Sequence, residues 1–101
     1  LARSIDVAWE RIFDYAPVDF DKHCIARIEQ ATRELGYSQR RMVSGAGHDA
    51  CYVNRVAPTA MIFIPCEKGI SHNEAENITP QWAERGANVL LNTLLLAANE
   101  K

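Results

Sequence analysis

No apolar run in this sequence is long, neither charge dominates, and the cysteines are too few and too irregular for a disulfide framework. Each absence removes a class of protein. The longest apolar region, Val89-Leu-Leu91 with Leu94-Leu-Leu-Ala-Ala98 close behind, is broken into two pieces by Asn92 and Thr93. They fall well short of the ~20 residues that cross a bilayer as a helix. A net charge of −2 and a pI near 5.9 give no electrostatic reason to expect nucleic acid or an anionic membrane as partner. The three cysteines, Cys24, Cys51 and Cys66, form an odd set that points to a reducing, cytoplasmic setting. Leu1-Ala-Arg-Ser4 lacks the basic start and apolar core of a secretory signal. There is no HxxxH, CxxC or HxD, so no complete metal-ligand set is legible. Internal repeats and low-complexity segments are also absent.

What is present fits a single small α/β unit. With 101 residues, 48% of them apolar and 24% charged, the chain has ordinary globular composition but room for one domain at most. It opens on Leu1 rather than Met and begins almost at once with a strand-like pattern, so it is expected to be a piece of a longer protein. Ile5, Val7 and Trp9 alternate with Asp6, Ala8 and Glu10, which predicts a half-buried strand. Asp19 or Asp21 is placed to cap a helix carrying Ile25, Ile28, Thr32 and Leu35 on one face and stopped by Gly36. Residues 40–44 form a short strand candidate, followed by a glycine turn and a brief helix over about 48–55. Residues 60–64 lack alternation, as a strand covered on both faces would. Thr79 and Pro80 then open a helix whose stripe is Ala83, Ala87, Leu90, Leu91, Leu94 and Ala98. Gly86 weakens that helix by about 1 kcal/mol relative to Ala, which packing must offset. The expected fold class is therefore α/β, a partial parallel or mixed sheet with flanking helices.

Two glycine-rich turns carry the candidate chemistry. Each presents a histidine after a predicted strand, where open α/β sheets place their ligands: His48 in Ser44-Gly-Ala-Gly-His-Asp-Ala50, and His72 in Gly69-Ile-Ser-His-Asn-Glu-Ala-Glu76. The first turn also satisfies the dinucleotide pattern GxGxxA, with Glu67 lying 20 residues beyond Gly47. Against that reading, the following helix is short and Asp49 would repel a pyrophosphate. Asp49 more simply favours a helix dipole from the first turn. Ser71 and Glu74 have capping-box spacing, which would hold His72 rigid at a helix start. His23 reads as a solvated polar-face residue, and Cys51 and Cys66 as small buried hydrophobes. The residues by themselves support two histidines of an incomplete site.

These two motifs, with Pro58-Thr-Ala-Met-Ile-Phe-Ile-Pro65 between them and His72 following His48 by 24 residues, resemble the carboxy-terminal segment of the metal-dependent hydantoinase/carbamoylase amidases. That family includes N-carbamoyl-L-amino-acid hydrolases, β-ureidopropionases and allantoate amidohydrolases. The resemblance runs from Ala16-Pro-Val18 to the final helix. It implies a zinc-peptidase-like catalytic domain in which two divalent metal ions, zinc or manganese, assist cleavage of a carbamoyl or ureido C–N bond. It further implies that His72 is a metal ligand and that His48 contacts substrate and steadies the tetrahedral intermediate. Gly69, Ile70 and Ser71 would line the substrate pocket. Residues 1–15 would be the end of a lid or dimerisation domain or a linker strand, and residues 16–101 the carboxy-terminal part of the catalytic domain. The parent would be a homodimer acting on a small N-carbamoyl or ureido substrate, and this chain alone would be inactive. The family's HxD motif, bridging aspartate, paired glutamates, further metal-binding histidine and substrate-binding arginine have no match here. Cys66-Glu-Lys68 is bulkier and more charged than the family's small residues at that place, which bears on substrate identity. The reading from another class is a non-catalytic α/β module binding a dinucleotide at Gly45–Ala50.

Overall fold

The computed structural model describes residues 4–100. Its first helix, α1, spans Lys22–Glu34 and is fixed at both ends by local chemistry. The Asp21 carboxylate accepts the Cys24 N–H at 2.8 Å, which satisfies one of the orphan donors of the first turn. At the other end Gly36 adopts φ 75°, a left-handed value that a side chain disfavours. The Gly36 N–H then reaches Arg33 O at 2.9 Å and the Tyr37 N–H reaches Thr32 O at 3.0 Å, the paired bonds of a Schellman stop.

The longest helix, α3, spans Pro80–Ala98 and follows a second short one, α2, at Asp49–Val53. Thr79 caps α3 through Oγ1, which accepts the Trp82 N–H, and Pro80 begins it without wasting a donor. Packing joins α1 to α3. Ala31 is fully enclosed, and Thr32 and Val89 are nearly so. Tyr37, just past α1, accepts a hydrogen bond from Asn88 Nδ2 at 3.2 Å, and the Arg85 guanidinium lies over both the Tyr37 and Trp82 rings. Arg41 grips Glu29 with two nitrogens, at 3.0 and 2.6 Å, and this guanidinium holds the Glu29 carboxyl below the usual carboxylate range.

Residues 59–65 lie against this helix pair. The Asp21 N–H donates to Thr59 O at 2.9 Å. Further on, Ile64 comes so close to Gly86 that a Cβ there would sit 2.8 Å from Ile64 Cγ2. Gly86 thus exchanges helix propensity for close approach of this segment.

The expected α/β sheet is not formed, because none of the described residues is in a strand. A strand is defined by its ladder to a neighbour. The stretches 5–13, 40–44 and 60–64 make no backbone–backbone hydrogen bond to any other described segment. Ile5, Val7 and Trp9 are all largely exposed, so the alternation in 5–10 does not produce a half-buried face either. Apolar content in these segments expresses a demand for burial, whereas pairing depends on partners the pattern does not name. The α3 stripe also differs from expectation. Ala83, Ala87, Leu90, Leu91, Leu94 and Ala98 all remain exposed, and the buried position is Val89. Ala83, Ala87, Leu90 and Leu94 instead border an open apolar groove of about 620 Å³, closed on its other sides by Ile28, Ile62 and Ile64.

The molecule is extended, with a radius of gyration of 18.9 Å, against about 13 Å for a compact domain of 100 residues. Burial this sparse does not offset the conformational entropy of an ordered chain. A polypeptide of these residues alone is therefore expected to lose ellipticity gradually on heating and to bind a hydrophobic dye; one sharp calorimetric transition would contradict this. The Cys24 bonds also hold the Asp21 carboxyl below its ordinary value of 3.8. A depressed pKa contributes stability above the unfolded value and loses it as pH falls through the folded one. Helix content should accordingly drop below about pH 4, and less so in Asp21→Asn, whose cap carries no charge.

Candidate functional site

The turn before α2 is built around Ser44 and His48. Ser44 Oγ accepts the Ala46 N–H at 3.2 Å and lies 2.7 Å from His48 Nε2. His48 occupies the N-cap position of α2 with extended backbone, yet its ring makes no capping bond. Its carbonyl accepts the Cys51 N–H at 3.0 Å, which fixes the backbone, while the ring meets Phe63 edge-on with centroids 5.6 Å apart. Asp49 sits in the first turn of α2, where its charge favours the helix dipole. Beyond α2, Asn54 Nδ2 donates to Asp19 O at 3.1 Å and ties this region to the approach to α1.

The second candidate loop covers 66–77 and has the closed base of an Ω-loop. Its ends are clasped twice: the Glu67 N–H donates to Asn77 O at 2.7 Å, and Asn77 Nδ2 donates to Glu67 Oε2 at 3.1 Å. A 3₁₀ turn at Glu67–Gly69 opens the loop. Three residues adopt left-handed backbone, Lys68 at φ 55°, Gly69 at φ 70° and His72 at φ 56°. Histidine reaches this region more readily than most side chains, though at some cost. Asn73 Oδ1 accepts the Ala75 N–H at 2.9 Å, a local turn that competes with helix formation. The expected Ser71–Glu74 capping box is consequently absent. No helix starts here, left-handed His72 could not begin one, and the side chain facing Ser71 Oγ is Glu76, at 3.5 Å. Glu76 also accepts a weak hydrogen bond from Cys66 Sγ at 3.6 Å.

The predicted site residues attach near the same end of the 59–65 segment. Phe63 touches His48, and the His72 loop begins at Cys66. Among the described residues no hydrogen bond joins the two histidines, and no group of three His, Cys, Asp or Glu side chains converges to hold a metal ion. The Gly69 N–H donates to Cys66 O at 3.0 Å and the Ile70 N–H to Glu67 O at 3.2 Å, so both donors are engaged within the loop. His72 and Ser71 are exposed, and the His72 ring has no hydrogen-bond partner among the described residues. The dinucleotide reading finds little room: α2 is five residues long and the glycine turn is occupied by the Ser44–His48 pair. His23 is exposed but not merely solvated, since its Nε2 lies 2.7 Å from Glu100 Oε1. Cys24, Cys51 and Cys66 are free and half-buried, short of the full burial expected for Cys51 and Cys66. Sequence reasoning missed Ser44, Phe63, Glu76 and Asn77 as partners. Only Ser44 left a readable signal, a hydroxyl four residues before a histidine across two glycines.

Burial first, and the Glu76 carboxylate second, push the Cys66 thiol above its ordinary value of 9.0. Glu76→Gln removes the charge and lowers that pKa, so alkylation of Cys66 at pH 8 should quicken. An unchanged rate would show that the Cys66–Glu76 contact is not kept in solution.

The family model for peptidase family M20/M25/M40 matches residues 4–96. An N-carbamoyl-L-amino-acid amidohydrolase of Rhizobium meliloti is 48% identical over 89 residues, covering 88% of this chain and 21% of that protein. An allantoate amidohydrolase of Bacillus subtilis is 33% identical, covering 93% of this chain and 23% of its own length. The crystal structure of a hydantoinase/carbamoylase family amidase from Burkholderia vietnamiensis superposes with a TM-score of 0.84 at 58% identity, over 90% of this chain and 22% of that one. That likeness lies in the path of the chain, which is shared even though no strand is formed among the described residues. The chain spans about a fifth of the length of these relatives. The chain belongs to peptidase family M20/M25/M40, and within it is similar to the hydantoinase/carbamoylase amidases.

Proposed function

We propose that this chain forms the carboxy-terminal part of the catalytic domain of a metal-dependent amidohydrolase that cleaves the C–N bond of N-carbamoyl amino acids or related ureido compounds. The observation that carries the reading is the 48% identity to an N-carbamoyl-L-amino-acid amidohydrolase over 89 residues, a span long enough to include both histidine motifs. Residues 16–101 belong to the catalytic domain, and residues 1–15 end a lid or dimerisation domain or link to it; residues 1–3 and 101 lie outside the described residues. The parent is a cytoplasmic homodimer using two divalent ions, zinc or manganese, and meets neither nucleic acid nor membrane. No helix among the described residues is long and apolar enough to cross a membrane.

The residues present fit one part of such a centre. A metal ligand needs an unprotonated ring nitrogen with nothing else bonded to it. His72 offers an exposed imidazole with no hydrogen-bond partner among the described residues, held on a clasped loop. The remaining ligands and the general base come from elsewhere in the parent, since the described residues hold no group of three donors. Bound metal would polarise the scissile carbonyl and supply hydroxide near neutral pH. His48, braced by Ser44 and Phe63, donates a hydrogen bond to the oxygen that becomes negative when the carbonyl turns tetrahedral. Gly69, Ile70 and Ser71 line the substrate pocket through backbone groups, Gly69 and Ile70 by their carbonyl oxygens, their N–H groups being engaged within the loop.

In the full-length parent, His72→Ala is expected to abolish chelator-sensitive hydrolysis of an N-carbamoyl amino acid and to lower bound metal. His48→Ala should reduce kcat by about a hundredfold while metal content stays near that of the wild type. Full activity of the His72 variant would sink the reading.

A further inference from the structure

The contact between Ser44 Oγ and His48 Nε2, at 2.7 Å, is the shortest between side chains in either candidate loop. A serine hydroxyl has one proton to donate and two lone pairs to accept with. One lone pair is used by the Ala46 N–H at 3.2 Å. A second lone pair and the hydroxyl proton remain, and among the described residues that proton has no acceptor but Nε2; donating it there requires that nitrogen to present its own lone pair. A neutral imidazole whose Nε2 accepts carries its proton on Nδ1. The ring has little freedom to leave this arrangement. Phe63 flanks it at 5.6 Å with planes inclined at 64°, and the Cys51 N–H holds the His48 carbonyl at 3.0 Å.

We infer that Ser44 is a positioning residue whose hydroxyl bonds His48 Nε2, fixes the Nδ1–H tautomer, and so presents Nδ1–H as the donor to the developing oxyanion. This rests on the substrate role proposed for His48 and assigns a duty to a residue outside the histidine pair. Ser44 is exposed, so its hydroxyl can be removed without disturbing a packed core.

The test uses the full-length, metal-loaded protein labelled with 15N-histidine, the His48 signals being those lost in His48→Gln. In the wild type, Nε2 should resonate as an unprotonated nitrogen and Nδ1 as a protonated one. In Ser44→Ala the two should average towards a tautomer mixture, and kcat should fall about tenfold with KM within about twofold, the scale of one lost hydrogen bond acting mainly in the transition state. Ser44→Thr, which keeps the hydroxyl, should restore both. A protonated Nε2 in the wild type overturns the inference, as does Ser44→Ala with unchanged kcat and unchanged tautomer. If His48→Gln itself retains full activity, the substrate role of His48 falls and this inference with it. Loss of activity in His48→Gln with none in Ser44→Ala overturns the role of Ser44 alone.

Discussion

Ala31 and Val89 are shut off from solvent in the helices α1 and α3, whose mutual packing positions everything that follows. Tyr37 leaves α1 and is held by Asn88 and Arg85 of α3, so the turn after α1 is part of the same contact. Asp21 caps α1 with its side chain and, through its N–H, holds Thr59 at the start of the segment that runs across the pair. Gly86 lets Ile64 settle against α3 near the segment's other end. Both candidate loops depend on that placement, His48 by touching Phe63 and the 66–77 loop by following directly after.

Around this small core much apolar surface stays open. Val43, Ile12 and Val56 are almost fully exposed, and the groove beside Leu90 and Leu94 is lined chiefly by aliphatic groups. Contiguous apolar surface on this scale marks faces that another part of a polypeptide, or another molecule, would cover. Relatives roughly four times as long as this chain have the material to do so. The polar groups of the two loops are better satisfied than the apolar faces. Glu67 and Asn77 satisfy each other, Ser44 satisfies His48, and strain is confined to Lys68 and His72. Order of this kind survives on local bonds where a core does not.

The helices were legible because their determinants are local. Asp21, Gly36, Thr79 and Pro80 each act within a few residues of where they stand. The strands were misread because a ladder needs a partner, and residues 5–13, 40–44 and 60–64 have none among the described residues. The α3 stripe was correctly placed on one side of the helix but not covered, since helical period specifies a face and not its neighbour. Ser71 and Glu74 have the right spacing for a cap, yet the Asn73 turn and the left-handed His72 override it. His48 and His72 stood out through their glycines. Their supports did not, because Phe63 and Glu76 become partners only through the path of the chain.

The most direct test of the central claim, that His72 is a metal ligand, is an anomalous-scattering map of the full-length protein collected at the absorption edge of its bound metal. A peak about 2.0–2.1 Å from a His72 ring nitrogen is the predicted result. A fully occupied centre with the His72 imidazole outside its coordination sphere would contradict it.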